Sequence, residues 1–234
     1  WGHSGQYGTD FLVPGMAVEI VDNHTLEAYA RRIVAKVERF NKEYSAVTFT
    51  EPLPENIRPG HLIAADEPGP DVHISGCRMS GNRARGLLIG SRGRVIIENN
   101  YFHIAGASIL FEGDGNFWFE QSGVRDVTIR NNIFANGNYG SRGWGSACIA
   151  VGSGISQRQT SRYHRNIQVD GNLFRVFDPR IVNLYCVDGF QFSASNRIVR
   201  TSDYPATFDP KLHFVFDQCD HIEIPRQIEM AEQR

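Results

Sequence analysis

The chain has 234 residues, of which 41% are hydrophobic and 21% are charged, and this is ordinary for a folded globular protein. Its formal net charge of −2 gives no basic surface that would favour nucleic acid or anionic lipid as a partner. No run of residues reaches the roughly 18 apolar positions of a membrane span, and no signal peptide is recognisable.

The first 70 residues differ in pattern from the rest of the chain. The segments AVEIVD, ARRIVAKVERF and YSAVTFT alternate apolar and polar residues with the period of a half-buried strand. Pro14 and Pro59 each begin a Pro-Gly turn, and DEPGPD from Asp66 to Asp71 reads as a short linker. We predict a small antiparallel β-barrel over residues 1–70 that leads into, or is inserted into, the remainder of the chain.

From Val72 onward an eight-residue phrase recurs with apolar first and third residues. The copies read VHISGCRM, VIIENNYF, VTIRNNIF, IQVDGNLF, FQFSASNR and a shorter IEIPRQI, with steps of 23, 32, 40, 23 and 32 residues. Repeats at periods of about 20 to 50 residues are typical of stacked architectures. The alternation and the β-branched residues indicate that each phrase is a short strand.

A second short strand follows most copies of the phrase, at Leu87–Ile89, Ser108–Phe111, Ala147–Val151, Val182–Val187 and His213–Phe216. Two or three short strands per repeat, separated by turns, describe one coil of a parallel β-helix. We therefore predict an all-β protein, in which residues 71–234 form a right-handed parallel β-helix beside the N-terminal barrel.

Two positions of the phrase predict stacked columns of side chains. The sixth position holds Cys77, Asn100, Asn132, Asn172 and Ser195, and asparagine suits a sharp turn with left-handed backbone and can bond to its own copy in the next coil. The eighth position predicts an apolar column inside the helix, formed by Met79, Phe102, Phe134 and Phe174. These recurring residues are interpreted as structural rather than catalytic.

The uneven steps predict loops that leave the coils. The coils that begin at Val95 and Val127 are 9 and 17 residues longer than the 23-residue coils. The extra residues fall in the segments Glu112–Gly123, Asn138–Gly145 and Gly152–Arg165. Loops on a rigid scaffold are where binding and catalysis concentrate, and we expect these loops to project on the same side.

The first loop, EGDGNFWFEQSG, combines carboxylates with aromatic rings. Glu112, Asp114 and Glu120 are the candidate catalytic residues, because glycoside hydrolysis needs two carboxyl groups about 5 to 10 Å apart. Trp118 is a candidate substrate-binding residue, since an indole ring can stack on the apolar face of a sugar. In the alternative interpretation these carboxylates only bond to loop backbone and to nearby arginines.

Other candidates for substrate binding lie outside this loop. Arg83 and Arg85 belong to a basic run with Arg92 and Arg94, which could hold an acidic substrate or pair with the loop carboxylates, and we favour the pairing. The remaining candidates are His3 and Tyr7 in the polar cluster GHSGQYG, and Trp144 in the loop NYGSRGWG.

No cofactor or metal is predicted. The chain lacks a zinc spacing, a phosphate-binding loop, a nucleophile elbow and a dinucleotide fingerprint. The four cysteines, Cys77, Cys148, Cys186 and Cys219, also lack metal-ligand spacing. Three of them lie in apolar runs, so buried thiols are favoured over disulfides.

Three long segments together resemble glycoside hydrolase family 110. They are residues 2–22, 82–134 and 178–192, and the phrases ILFEGD, FWFE and VRDVTIRNN are the more specific parts. The resemblance implies a β-helix with inserted β-barrels and an exo-acting enzyme that removes terminal α-1,3-linked galactose with inversion and without a metal. It also implies an extracellular or periplasmic location and a glycan as the partner.

One element of the family pattern is missing from this sequence. The family carries an Asp-Asp pair in a D-D-x-x-N-x-H-G phrase upstream of the barrel, and no Asp-Asp occurs in this chain, which opens at Trp1 without an initiator methionine. We expect a C-terminal part of such an enzyme that lacks the principal acid and base and is inactive alone.

Two other functions remain open. A non-catalytic carbohydrate-binding or adhesion β-helix would use the same loops without hydrolysis. A uronic-acid lyase or hydrolase would need a basic residue at an acidic subsite, for which Arg83 and Arg85 are candidates, and usually calcium. The sequence does not predict an oligomeric state.

Overall fold

The computed structural model describes residues 9–41, 43–113, 115, 119, 123–152, 154–205, 213–226, 228 and 230–232. Four antiparallel strands come first: β1 (Ala17–Val21), β2 (Ala28–Arg39), β3 (Ser45–Phe49) and β4 (Leu62–Ala65). They form one sheet in the order β3-β2-β1-β4 around a small core of Leu12, Val18 and Val34. The predicted boundary at residue 70 falls between β4 and the next strand, and it stays a prediction.

The remaining strands form three parallel sheets. Sheet 1 contains β5 (Val72–Ser75), β8 (Arg94–Glu98), β11 (Asp126–Arg130), β14 (His164–Asp170), β17 (Val187–Phe192) and β20 (Asp220–Glu223). Sheet 2 contains β6 (Arg78–Ser80), β9 (Tyr101–His103), β12 (Ile133–Ala135), β15 (Leu173–Val176), β18 (Arg197–Arg200) and β21 (Met230–Glu232). Sheet 3 contains β7 (Leu87–Ile89), β10 (Ile109–Phe111), β13 (Ile149–Val151), β16 (Arg180–Tyr185) and β19 (His213–Asp217).

This arrangement confirms the predicted all-β fold with stacked parallel coils. Each full coil passes from sheet 1 to sheet 2 to sheet 3, and three corners separate the sheets. We call the corner between sheets 1 and 2 the Asn corner, that between sheets 2 and 3 the second corner, and that between sheet 3 and the next strand of sheet 1 the third corner. The only helical segments in the described part of the chain are two three-residue 3-10 turns, Arg142–Trp144 and Arg158–Thr160, and neither could cross a membrane.

A ladder of buried asparagines runs along the Asn corner. The side-chain amide of Asn100 donates to Oδ1 of Asn132, that of Asn132 to Asn172, and that of Asn172 to Asn196, each over 3.0 Å. Each amide also donates to a carbonyl oxygen of a sheet 1 strand in the coil before it, as Asn132 does to Ile97 over 2.8 Å. The ladder therefore satisfies backbone groups that the turn would otherwise leave buried and unpaired.

The predicted ladder is correct at three positions and wrong at Ser195. The fifth coil has one more residue in this turn, so Asn196 occupies the ladder position and Ser195 instead donates to Asp170 over 2.5 Å. The left-handed backbone also belongs one residue earlier than predicted, at the fifth position of the phrase, where φ is 56° for Asn99 and 55° for Asn131. The sixth position thus makes the hydrogen bonds and the fifth makes the turn.

The predicted apolar column is confirmed. The rings of Phe102 and Phe134 are stacked at 5.1 Å, and those of Phe134 and Phe174 at 4.7 Å. All three side chains are fully buried, and Met79 packs against the same core. Parallel, in-register pairing places equivalent residues of successive coils above one another, which is why one aromatic position in the phrase produces a continuous stack.

The cysteines are free thiols, as predicted, with unequal burial. Cys148 and Cys186 are buried, Cys219 is partly buried and Cys77 is exposed. Burial raises the pKa of the Cys148 thiol to about 12, so this thiol stays protonated and inert at neutral pH.

Candidate functional site

Two long loops leave the coils at the third corner. Loop A is the connection from β10 to β11, of which the structure describes residues 112, 113, 115, 119 and 123–125. Loop B is the connection from β13 to β14, of which it describes residues 152 and 154–163. They leave successive coils at the same corner, as predicted for these two segments. The prediction is wrong for Asn138–Gly145, which lies between β12 and β13 at the second corner because the extra residues of that coil are divided between two corners.

Loop B is held against the antiparallel sheet. Ser161 Oγ donates to the carbonyl oxygen of Thr25 over 2.6 Å, and the backbone N–H of Arg162 donates to the Glu27 carboxylate. His24 contacts loop B twice, through a ring nitrogen 2.9 Å from Ser156 Oγ and through its carbonyl oxygen, which accepts from the N–H of Gln157. The loop therefore fixes the position of the antiparallel sheet on the coils.

A buried ion pair makes a second connection between the two parts. Both terminal nitrogens of Arg92, which precedes β8, donate to the Glu19 carboxylate of β1 over 2.7 and 2.9 Å. The side chains are only 8% and 14% exposed, and two parallel bonds fix their mutual geometry. Of the predicted basic run, Arg92 thus binds a carboxylate of the antiparallel sheet, and Arg94 lies 3.9 Å from Asp126 of β11.

Glu19→Gln is expected to lower the free energy of unfolding by about 2 kcal/mol, because it leaves the charge of Arg92 buried without its counter-ion. Denaturant unfolding at neutral pH measures this difference. Glu38→Gln is the matched control, since Glu38 forms a solvent-exposed pair with Lys36 and such pairs contribute little. An equal effect of both substitutions would contradict a structural role for the Arg92–Glu19 pair.

Glu112 lies at the start of loop A, beside the start of loop B. It directly follows β10, is partly buried, and approaches Gly152 so closely that a Cβ at that position would lie 3.2 Å from Glu112 Oε1. Glu112 is the one candidate catalytic carboxylate among the described residues. Asp114 and Glu120, together with Trp118, His3 and Tyr7, lie outside the described residues, and their predicted roles stay predictions.

The buried residue His164 was not identified as a candidate from the sequence. The Nε2 of His164 donates to the carbonyl oxygen of Gly152 over 3.0 Å, and its Nδ1 accepts from the N–H of Val124 over 3.3 Å. The Tyr163 hydroxyl donates to the same Gly152 carbonyl over 3.1 Å. Burial lowers the pKa of His164 to about 4, so the ring is neutral and joins the end of loop A to the base of loop B.

A cleft of about 660 Å³ lies between the antiparallel sheet and the coils. Gly115 and Phe119 of loop A line it together with Leu26, His61 and Arg92. His61 is positioned by the hydroxyl of Tyr29, 2.6 Å from its Nδ1. Burial raises the pKa of Tyr29, which therefore stays protonated at neutral pH. The volume and the mixed lining suit a small ligand.

The remaining predicted binding residues lie at the second corner. The guanidinium of Arg83 lies 5.6 Å from the ring centre of the partly buried Trp144. Gly106 and Gly140 are needed here, because a Cβ on either would contact Trp144 at 3.0 Å or less. Arg85 is exposed and accepts a bond from Asn82 through its carbonyl oxygen. Trp144 and Arg83 thus contact each other at a different corner from Glu112.

Comparison with known proteins identifies relatives of this chain. Residues 1–63 match the family model described as GLAA-B beta-barrel domain II. Alpha-1,3-galactosidase A of Shewanella woodyi is 38% identical over 87% of the chain, and alpha-1,3-galactosidase B of Bacteroides thetaiotaomicron is 33% identical over 93%. Alpha-1,3-galactosidase A of Bacteroides fragilis is 31% identical, also over 93%.

The matched region covers 33%, 35% and 36% of those three relatives, so the chain spans about one third of their length. The similarity extends over both the antiparallel sheet and the coils. The predicted resemblance to glycoside hydrolase family 110 is confirmed: the chain is a relative of the bacterial α-1,3-galactosidases over most of its own length.

Proposed function

We propose that the chain forms part of a glycoside hydrolase that releases terminal α-linked galactose from glycans with inversion of configuration. The observation that carries this proposal is similarity to curated α-1,3-galactosidases, which extends over 87 to 93% of the chain for the three relatives named above. An extracellular or periplasmic location accompanies the proposal, because polymeric and cell-surface glycans are encountered there.

The geometry of the third corner supports a role in holding the sugar. Loop A lines the cleft with Gly115 and Phe119, and Glu112 occupies the start of the same loop. The ion pair of Arg92 with Glu19 and the docking of loop B hold the opposite wall in place. In an inverting hydrolase one carboxylic acid protonates the leaving oxygen while a carboxylate activates water on the opposite face of the ring. Glu112 is proposed to take part in this site.

The test is hydrolysis of a disaccharide with terminal α-1,3-linked galactose by the natural gene product that contains this chain. Proton NMR during the first minutes should detect β-galactose before mutarotation, and α-galactose as first product would exclude inversion. Glu112→Gln should lower kcat/KM at least 100-fold if the carboxylate acts in the transition state. Glu55→Gln, on the exposed surface of the antiparallel part, is the matched control.

A non-catalytic carbohydrate-binding function is the second candidate, and the second corner favours it. There Tyr139 and Tyr204 are stacked at 5.7 Å, His103 stacks on Tyr139 at 4.9 Å, and Trp144 lies in the same loop as Tyr139. Partly exposed aromatic side chains with polar edges are suited to sugars. Binding of the disaccharide without release of galactose by the natural gene product would favour this function over hydrolysis.

A further inference from the structure

A polar groove of about 630 Å³ lies on the outer face of sheet 1, and its lining shares no residue with the cleft. Thr128, Gln168, Gln191 and Glu223 are paired in register across four successive strands and form one row. Arg130 and Asp170 form a second row beside it. Neighbouring strands are about 4.8 Å apart, so the rows present a polar side chain at every coil.

Several of these side chains are already held by hydrogen bonds. Gln191 Nε2 donates to Glu223 over 3.1 Å, and Arg130 Nε donates to Glu98 over 2.6 Å. Asp170 accepts from Ser195 Oγ, and this bond is the main cause of the lowered pKa of Asp170. Side chains fixed on a rigid sheet lose little conformational entropy when they bind a ligand.

The charges in the groove select among polar ligands. The lining contains one cation, Arg130, and two carboxylates, Asp170 and Glu223, so its formal charge is −1. This charge disfavours uronates, phosphates and nucleic acids. A neutral sugar fits better, because carboxylates and amides accept from hydroxyl groups while the amides and the guanidinium donate. Ile224 is 41% exposed at the edge of the groove and offers an apolar contact for a ring face.

From these features we infer that the outer face of sheet 1 is a binding surface for neutral oligosaccharides, which lie across successive coils. This function goes beyond the proposed hydrolysis and does not depend on it. Such a surface would keep a glycan chain close to the protein between successive encounters with its cleft.

The test is calorimetric titration of the natural gene product with a neutral tetrasaccharide that carries no terminal α-linked galactose, so that the proposed hydrolysis does not consume the probe. The double variant Gln168→Ala/Gln191→Ala should bind the probe in the groove at least tenfold more weakly than the wild type. Both glutamines are exposed, so the variant should fold normally, which circular dichroism checks. Gln159→Ala, in the second 3-10 turn, is the matched control and should bind like the wild type. A galacturonate tetramer should bind at least tenfold more weakly than the neutral probe.

Three outcomes would overturn the inference: no binding of the neutral probe, unchanged binding by the double variant, or equal binding of galacturonate. Hydrolysis of a small aryl α-galactoside is measured in parallel. Such a substrate is too short to lie across successive coils, which are about 4.8 Å apart, so the double variant should hydrolyse it at the wild-type rate. If the wild type binds the neutral probe in the groove but does not hydrolyse the aryl α-galactoside, the proposed function alone is refuted.

Discussion

Replacing Asn132 by alanine is expected to lower the free energy of unfolding by about 4 kcal/mol. Asn132 is 1% exposed and lies in the middle of the ladder. Its Oδ1 accepts from the backbone N–H of Asn100 over 3.0 Å, and its amide donates to the carbonyl oxygen of Ile97 over 2.8 Å. The substitution leaves both backbone groups buried without these partners, and each such group costs about 1–3 kcal/mol.

Two further variants separate the hydrogen bonds from the volume of the side chain. Asn132→Leu keeps a side chain of similar size but no polar atoms, so its loss of stability should be nearly as large as that of the alanine variant. Asn82→Ala is the matched control, because the exposed Asn82 makes one bond, to the carbonyl oxygen of Arg85 over 3.1 Å. Urea unfolding at neutral pH measures all three variants. A leucine variant as stable as the wild type would show that only packing matters at this position.

The parts of the fold that could be predicted are those that the repeat imposes. Parallel strands in register place equivalent residues in one column. A recurring Asn or Phe therefore predicts a contact between successive coils, as it does for Phe102, Phe134 and Phe174. The prediction fails at Ser195 because a single additional residue in one turn shifts the column by one place. A position count that assumes equal turns cannot detect such an insertion.

The docking of the antiparallel sheet could not be predicted, since no periodicity connects its partners. Arg92 and Glu19 are 73 residues apart, and His24 and Ser156 are 132 apart. Each pair depends on how the surface of the antiparallel sheet meets the surface of the coils. For the same reason the sequence did not predict the Arg92–Glu19 pair, and the arginine run was instead expected to pair with the loop carboxylates.

The candidate site was predicted only as far as the position of the loops. The lengths of the coils located the segments that leave the helix, and Glu112 does lie at the base of one of them. The two corners were not distinguished, because loop length does not say after which strand of a coil the extra residues leave. His164 carries no distinguishing pattern at all: it begins the strand β14, and only the packing of Tyr163, Val124 and Gly152 around it makes it a buried connection.

Acidification should destabilise the protein through His164. Its folded pKa is about 4, well below the ordinary value of 6.5, because burial opposes protonation of the ring. The unfolded chain therefore binds one more proton between pH 6.5 and 4, so this contribution to stability is complete above pH 6.5 and falls as the pH approaches 4. The difference of about 2.5 between these two pKa values corresponds to about 3 kcal/mol in the free energy of unfolding.

The measurement compares wild type and His164→Gln by urea unfolding at pH 7, 6, 5 and 4. Glutamine can donate to Gly152 and accept from Val124 but does not titrate, so the variant should be less stable at pH 7 and lose about 3 kcal/mol less on acidification. His221→Gln is a control of opposite sign, because Asp188 raises the pKa of the exposed His221. The stability of the wild type relative to this variant should therefore increase as the pH falls. Parallel stability curves for wild type and His164→Gln would refute the coupling of His164 burial to pH.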